Sequence, residues 1–310
     1  MLTRVTLRQI EYCIAAGEFG SVALAAEAIS VSPSSISSAI AQVEAELRAT
    51  LFVRHHGQGL SLTPVGKDVV RQMRVLIDQT SLLYEVADHA QHSMRGSLRV
   101  GCFSTLAPMV TPELCQTFAS EHPDVQVSHL EDHHEGLLQR LRMAQIDVAI
   151  TYDLTAFEPD IAFEPLAPLP PYAVVSEGDA LAGRASATLE QLAAAPMILL
   201  DLPHSREYFL SLFRDAGVTP LITARTSSPD VVRSLVANGF GYSLFNVRPR
   251  TNQALDGKKL VPLPLVGRHR PLMLGLARLQ GQQPRRVVEA FMERCRTCVS
   301  SRYIPGMAPS

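Results

Sequence analysis

The sequence predicts an α/β protein in three parts: an N-terminal winged helix-turn-helix, a long linker helix and a two-lobed α/β domain. Two short helical patterns joined by a tight turn come first, a long amphipathic segment follows, and strands alternate with helices from about residue 97. The chain has 310 residues, of which 46% are hydrophobic and 19% charged. That composition provides material for two or three compact units.

The first fifty residues carry the helix-turn-helix pattern. Apolar residues recur at helical spacing over 6–18, and Ser21 can cap a second helix over 22–29. After three turn residues Ser32 can cap a third helix, in which Pro33 takes the first position, where its missing N–H costs nothing. In such a unit the second of the two short helices enters the major groove of DNA.

A wing and a long helix follow. Residues 51–63 contain two short extended segments around a glycine-bearing turn, which predicts a hairpin. From Pro64 a helical pattern extends to about residue 91, so this helix is roughly 40 Å long. Its apolar stripe lies outside any compact domain and needs a partner, for which we expect the same helix of a second copy.

The rest of the chain predicts a bilobal domain. Repeated βα units imply doubly wound lobes, and the proline-rich segments 165–171 and 265–271 mark two crossings between them. Lobes joined by two crossings face each other over a cleft that can hold a small molecule. The expected domains are 1–63 for DNA binding, 64–92 as the linker helix and 93–310 as the effector domain, with lobes 93–167 plus 268–310 and 168–267.

Charge does not favour DNA binding. Residues 1–92 carry seven Lys and Arg against nine Asp and Glu. A net basic surface is the usual sign of duplex binding. The few positive charges are therefore expected to cluster on one face.

Other features predict the compartment. The five cysteines are odd in number and scattered, as expected of reduced thiols. We find neither a signal peptide pattern nor an apolar run long enough to span a membrane, so we expect a cytoplasmic protein with no membrane partner.

Eight fragments have the order and spacing of one known family. They are LRQI at 7–10, FGSV at 19–22, VSPSSISSAI at 31–40, LFVR at 51–54, LTPVG at 62–66, GSLRVG at 96–101, IDVAI at 146–150 and VANGFG at 236–241. Through them the chain resembles the LysR-type transcriptional regulators over nearly its whole length. Two residues depart from the family pattern: Pro33 stands where the family usually has Gln, and Arg48 where it usually has Gly.

The resemblance implies a regulator that senses a small molecule and alters transcription of target genes. It implies a homodimer or homotetramer with a linker-helix coiled coil and a periplasmic-binding-protein-like effector domain. The expected partners are double-stranded operator DNA and a small co-inducer, with RNA polymerase as a further candidate. No catalytic residue, metal or cofactor is expected.

The candidate DNA contacts lie on the third helix and the wing. Ser34, Ser35 and Ser38 are expected to face bases, and Ser32 and Ser37 to lie nearer phosphate. Pro33, at the head of the same helix, is a further candidate DNA contact. The wing adds Arg54 and His55 or His56, on the DNA backbone or in the minor groove. Serine hydroxyls discriminate bases weakly, so operator spacing and DNA shape should matter. The alternative interpretation makes Ser32 and Ser34 helix caps and the histidines solvated loop residues.

The candidate effector contacts follow the ends of the predicted strands, where free N–H groups of helix N-termini attract anions. Their hydroxyls, imidazoles and aromatic rings suit a small organic acid, and several of them could instead only cap helices. They are Ser104, Thr105, His133, His134, Thr151, Tyr152, Leu202, Pro203, His204, Ser205, Thr226, Ser227, Phe245 and Asn246.

Other functions have weaker support. Residues 131–135 (EDHHE) could ligate a metal, but adjacent His133 and His134 cannot both point at one site from a helix. Cys295 and Cys298 form a lone CxxC, which without a second pair does not predict zinc. A solute-binding protein would share the bilobal part but not the helix-turn-helix. No nucleophile elbow, Walker loop or dinucleotide fingerprint supports an enzyme.

Overall fold

A computed structural model describes residues 4–55, 59–87, 94–281, 284–300 and 303–307, without the side chains of 81–87. The chain divides into two compact units. The first runs to Gly96 and takes in Gln139–Ile146, and the second comprises Ser97–Leu138 and the chain from Asp147 onward. In the part of the chain that the structure describes, none of the helices combines the length and the hydrophobicity that a membrane span needs.

The first unit contains the predicted helix-turn-helix and wing. Its strands pair antiparallel, with Phe52 opposite Leu62. The last helix was predicted to reach about residue 91, and residues 88–91 lie outside the described part. In chain order the elements are α1 (Leu7–Phe19), α2 (Val22–Ala28), α3 (Pro33–Leu47), β1 (Phe52–His55), β2 (Gly59–Leu62) and α4 (Pro64–Ala87).

Local capping explains where these helices begin and end. Thr6 and Gln9 form a reciprocal capping box at the start of α1. Ser32 caps α3, with Pro33 in its first turn. The helix ends at Arg48, whose φ of +51° is left-handed. This conformation is costly for a side chain with a Cβ and favours glycine, which gives a physical meaning to the departure at Arg48.

Long-range contacts fix α3 against the rest of this unit. Ile36, Ile40 and Val43 are buried in the core, and each contributes about 1.5–3 kcal/mol by burial. The Glu44 carboxylate accepts the backbone N–H of Leu51 at 2.6 Å and of Phe52 at 3.0 Å. These two bonds tie the end of α3 to the start of the wing.

The second unit has two lobes. The first lobe is built on a five-stranded sheet and the second on a three-stranded and a two-stranded sheet. The elements are β3 (Gly96–Phe103), α5 (Ala107–Glu121), β4 (Val125–Asp132), α6 (His134–Arg142), β5 (Val148–Tyr152), β6 (Ile161–Leu169), β7 (Tyr172–Ser176), α7 (Leu189–Ala193), β8 (Pro196–Leu200), α8 (Ser205–Asp215), β9 (Leu221–Thr226), α9 (Pro229–Ala237), β10 (Ser243–Phe245), β11 (Leu260–Pro264), β12 (Leu272–Leu279) and α10 (Arg286–Cys298).

The sheets are mixed. In the first lobe the strand order is β4-β3-β5-β12-β6, with β3 and β5 parallel and β12 antiparallel to both neighbours. In the second lobe the order β10-β7-β11 is antiparallel, and β8 and β9 run parallel. Strand β12 returns the chain to the first lobe, where it pairs between β5 and β6.

Strands β6 and β11 were not predicted from the sequence, and 165–171 was interpreted as a crossing between the lobes. Both strands contain prolines. Each of these strands lies at the edge of its sheet. At an edge a proline removes a donor that the ladder does not need, so the prolines are tolerated there.

The described segment around residue 305 carries buried apolar side chains. Ile304 and Met307 are both buried. Met307 forms an isolated antiparallel bridge with Pro249. Apolar side chains anchor this segment to the second unit.

Candidate DNA-binding surface and effector cleft

The serines at the head of α3 are largely engaged with one another. Ser32 Oγ accepts the backbone N–H of Ser35 at 3.2 Å, so Ser32 is a cap. The same oxygen lies 2.9 Å from Ser34 Oγ and 2.8 Å from Ser35 Oγ. Hydroxyls bonded in this way have less capacity left for a base.

Helices α1 and α3 border a hollow of about 470 Å³. Three of the predicted contacts, Ser34, Ser35 and Ser38, line it, whereas Ser32, Pro33 and Ser37 do not. Of the described residues that line it, Arg8 alone is charged, and no carboxylate opposes it. The lining residues are Thr6, Arg8, Gln9, Tyr12, Ser34, Ser35, Ser38, Ala39 and Gln42.

Gln42 and the α1 residues were not among the DNA contacts predicted from the sequence. A signal for Gln42 was available, because it lies four residues after Ser38 and eight after Ser34, on one helical face. No local pattern indicates the α1 residues, because their position depends on how α1 packs on α3.

Arg54 is the arginine that the described part of the wing presents, and it is exposed on β1. His55 Nε2 lies 2.7 Å from Ser61 Oγ on the opposite strand, so this ring is bound within the hairpin. His56 lies outside the described residues.

In the second unit, several of the predicted effector contacts come together. Thr105 Oγ1 lies 3.0 Å from the Tyr152 hydroxyl. His134 Nδ1 lies 3.3 Å from Thr151 Oγ1. The rings of His134 and His204 are 5.8 Å apart and nearly perpendicular. The last residues of β5 and residues that follow β3, β4 and β8 therefore meet where the two lobes face each other.

His134 lies at the base of this group. It is 1% exposed, and its Nε2 lies 3.2 Å from Thr155 Oγ1. Burial, reinforced by the neighbouring His204, lowers the pKa of His134 to about 4. The imidazole is therefore neutral at pH 7 and offers one donor and one acceptor to the surrounding hydroxyls.

His204 has an unusual backbone. Its φ is +64° and ψ −35°, and the N–H of Ser205 donates to the Pro203 carbonyl at 2.8 Å, closing a tight γ-turn. Its Nε2 lies 2.9 Å from Glu135 Oε1. This contact joins the second lobe to the first lobe. Residues with a strained backbone, such as His204, cluster at functional sites.

The remaining polar candidates around α6 are bound locally. His133 Nδ1 lies 2.5 Å from its neighbour Asp132, so this ring is turned toward its own loop. Ser104 is half-buried, and its N–H donates to the Asp132 carbonyl at 3.0 Å. Among the described residues, no cluster of three or more His, Cys, Asp or Glu could hold a metal.

Asn246 lies at the crossings between the lobes. Its amide nitrogen donates to the Leu169 carbonyl at 2.8 Å and lies 3.1 Å from the Tyr208 hydroxyl. That hydroxyl in turn donates to the Arg270 carbonyl at 2.7 Å. Asn246 and Tyr208 thus bind both crossing segments to the second lobe, and the ring of Phe245 packs 6.4 Å from that of Tyr172.

The other second-lobe candidates have mixed surroundings. Leu202 and Ser205 are buried, and Pro203 is exposed. Thr226 Oγ1 accepts the N–H of Ser228 at 3.2 Å, at the start of α9. Ser228 caps α9, and Ser227 is exposed.

Three of the cysteines in the second unit are buried. Burial raises the pKa of Cys102 to about 12 and that of Cys115 to about 11, and it also raises the pKa of Cys295. Reactive cysteines need a lowered pKa and access, so these three are packing residues.

Comparison with known proteins gives a consistent result. The model "Bacterial regulatory helix-turn-helix protein, lysR family" matches residues 7–67, and "LysR substrate binding domain" matches 91–298. The crystal structure of HinK, a LysR family transcriptional regulator from Pseudomonas aeruginosa, is 32% identical, with a TM-score of 0.64 over 95% of this chain and 98% of that chain.

Two characterised relatives are similar over most of their length. The transcriptional dual regulator GltC of Bacillus subtilis is 28% identical over 77% of this chain and 79% of that protein. The transcriptional regulator CysB of Haemophilus influenzae is 27% identical over 87% of this chain and 83% of that protein.

Proposed function

Because the chain belongs to the LysR family of DNA-binding transcriptional regulators, we propose that it senses a small organic acid between the lobes of its effector-binding domain. Members of this family are regulators and not enzymes. They bind DNA and small-molecule effectors, and they oligomerise.

The interlobe contact between His204 and Glu135 carries the proposal. It is polar, it lies beside buried His134, whose ring is 5.8 Å from that of His204, and it uses a strained residue. The hydroxyl of partly exposed Thr105 can donate to an acid. A cleft with a few convergent polar groups is the usual form of a small-molecule site.

The expected step is an exchange of carboxylates. A ligand carboxylate takes the place of Glu135 Oε1 on His204 Nε2, and the released Glu135 turns to solvent, where most of its side chain already lies. His204 can then leave its γ-turn, so binding and lobe arrangement become coupled. The ligand supplies the differential contact that any such change requires.

The DNA-binding side of the proposal assigns α3 to the major groove of the operator and α4 to pairing between copies. The functional boundaries we propose are 1–63, 64–92 and 93–310. Effector binding changes how the paired units hold the operator, and RNA polymerase is the proposed recipient of that change.

A carboxylate panel tests the effector site. We expect one or more small mono- or dicarboxylates to raise the melting temperature of the full chain. His204→Ala should remove the shift because alanine offers no donor to the carboxylate, whereas Glu135→Gln should strengthen binding because the competing carboxylate is gone. His129→Ala changes an exposed histidine on β4 and is the matched control. A panel without effect, or a shift that survives His204→Ala, contradicts the proposal.

The DNA surface is tested separately. Ser34→Arg and Ser38→Glu should abolish protection of a selected operator while leaving the oligomeric mass unchanged. Ser120→Glu places the same charge on exposed α5 and should bind normally. Unaltered footprints in both α3 variants would show that this face does not contact DNA.

A further inference from the structure

A relay of hydrogen bonds runs from α1 to α3 across the hollow. Gln9 Oε1 accepts the backbone N–H of Thr6 at 2.8 Å and its hydroxyl at 3.1 Å. Gln9 Nε2 donates to Gln42 Oε1 at 2.6 Å. Gln42 Nε2 lies 3.4 Å from Ser38 Oγ.

The relay determines which way each amide faces. A backbone N–H can only donate, so the Gln9 oxygen must face Thr6 and the Gln9 nitrogen must face Gln42. The Gln42 oxygen is therefore turned toward α1, and its NH₂ group lies on the other side, next to Ser38. One of the two N–H donors of Gln42 remains available to a ligand beyond the serine.

The position of Gln42 on α3 and the length of its side chain suit a contact with a base. Ser34, Ser38 and Gln42 recur every four residues on one face of α3, and all three line the hollow. Gln42 is exposed and has the longest side chain of the three. Ser34 Oγ is already bonded to Ser32 Oγ, which leaves the short side chains weak at discriminating bases.

We propose that Gln42 is a specificity-determining residue for the operator and that Gln9 is its positioning residue. The proposal rests on the proposed entry of α3 into the major groove. There Gln42 donates an N–H to an acceptor on a base edge: purine N7, guanine O6 or thymine O4. Cytosine offers only its N4 donor, so it should be excluded from the base that Gln42 faces.

The hydrogen bond from Gln9 to Gln42 also prevents the two-bond contact that glutamine usually makes with adenine. A free glutamine binds adenine through both its oxygen and its nitrogen. Here Gln9 occupies the Gln42 oxygen, so the expected preference is for an acceptor and not for adenine itself. Adenine, guanine and thymine should be tolerated at that position.

The decisive variant leaves Gln42 unchanged. In Gln9→Glu one carboxylate oxygen still accepts the Thr6 N–H, so the capping box is retained. The other oxygen can only accept, so Gln42 must turn its NH₂ toward residue 9 and its oxygen toward DNA. The preference at that base should then reverse toward the donors of cytosine N4 and adenine N6.

Selection from randomised duplexes by the full chain, at one fixed salt concentration, provides the measurement. We expect one operator position to exclude cytosine, and Gln42→Ala to make that position indifferent, with about 3- to 10-fold weaker binding of the original sequence. Gln9→Glu should reverse the preference. Gln72→Glu, on an exposed face of α4, introduces the same chemical change and should leave the selected sequence unaltered.

Three outcomes overturn the inference. The first is that Gln42→Ala and Gln9→Glu both select the same sequence as the unmodified chain. The second is that the variants bind all sequences more weakly by the same factor, as loss of a phosphate contact would give. The third is that Gln9→Glu shows no cooperative melting transition and Gln42→Ala selects an unchanged sequence. If Ser34→Arg and Ser38→Glu also bind normally, the proposed DNA surface has failed. If those two variants lose binding, only the role of Gln42 is refuted.

Discussion

Acid should destabilise this protein through His134. Its pKa is lowered from 6.5 to about 4 in the folded chain. Between these values the unfolded chain binds a proton that the folded chain does not, so the free energy of unfolding falls as the pH falls from 6.5 to 4. The full loss below pH 4 is about 3 kcal/mol, and about 2 kcal/mol of it appears between pH 7 and pH 5.

His134→Gln isolates this contribution. Glutamine does not titrate, and its amide can donate to and accept from the Thr151 and Thr155 hydroxyls that the imidazole contacts. Urea unfolding followed by circular dichroism at pH 7 and pH 5 gives the free energy for each protein. The unmodified chain should lose about 2 kcal/mol more than the variant over this interval.

His129→Gln is the control, because His129 is exposed on β4 and meets solvent whether the chain is folded or not. This variant should show the same pH dependence as the unmodified chain. Equal losses in the unmodified chain and His134→Gln would refute the reasoning, since they would mean that His134 accepts its proton without cost in the folded state.

Further predictions concern the first unit. Gly66→Ala should lower the free energy of unfolding by more than about 2 kcal/mol, because a Cβ at this position would lie 2.0 Å from the Leu51 carbonyl oxygen, just before β1. Gly183→Ala is the control: its Cβ would meet no atom within 4 Å, so thermal unfolding should be unchanged. Glu44→Ala should lower the free energy of unfolding by about 2–4 kcal/mol, because it leaves two backbone N–H groups without their acceptor. Glu46 is exposed, and Glu46→Ala should lower the same free energy by under about 0.5 kcal/mol. Arg48→Gly should raise stability by about 0.5–1 kcal/mol, because glycine adopts the left-handed conformation without strain; lower stability would contradict this account.

Local signals were the most reliable guide to the fold. Caps such as Ser21 and Ser32 and the apolar spacing of α3 depend on residues within a few positions, and the helices form where these signals placed them. The proline-containing strands β6 and β11 were missed because their tolerance of proline comes from being at a sheet edge. Whether a strand lies at the edge or in the centre of a sheet is decided by how the strands pair.

The candidate effector site was located by the same kind of rule. Residues after strand ends were expected to converge, and Thr105, His134, Tyr152 and His204 do so. The rule could not separate these from Asn246, which has the same sequence context but binds the crossing segments. The order of residues along the chain shows where a strand ends. Only the packing of the folded chain decides whether a side chain at that end points into the cleft or toward the crossing segments.

The sequence by itself determined the family, the order of the domains and the helix-turn-helix, because periodicity, caps and motif spacing are local properties of a chain. It also indicated that α3 lacks the glutamine usual at its head. Only the tertiary structure showed that Gln42, held by Gln9 from thirty-three residues away, supplies an amide on the same face. Its orientation depends on a backbone N–H at the start of α1, and no property of α3 alone specifies it.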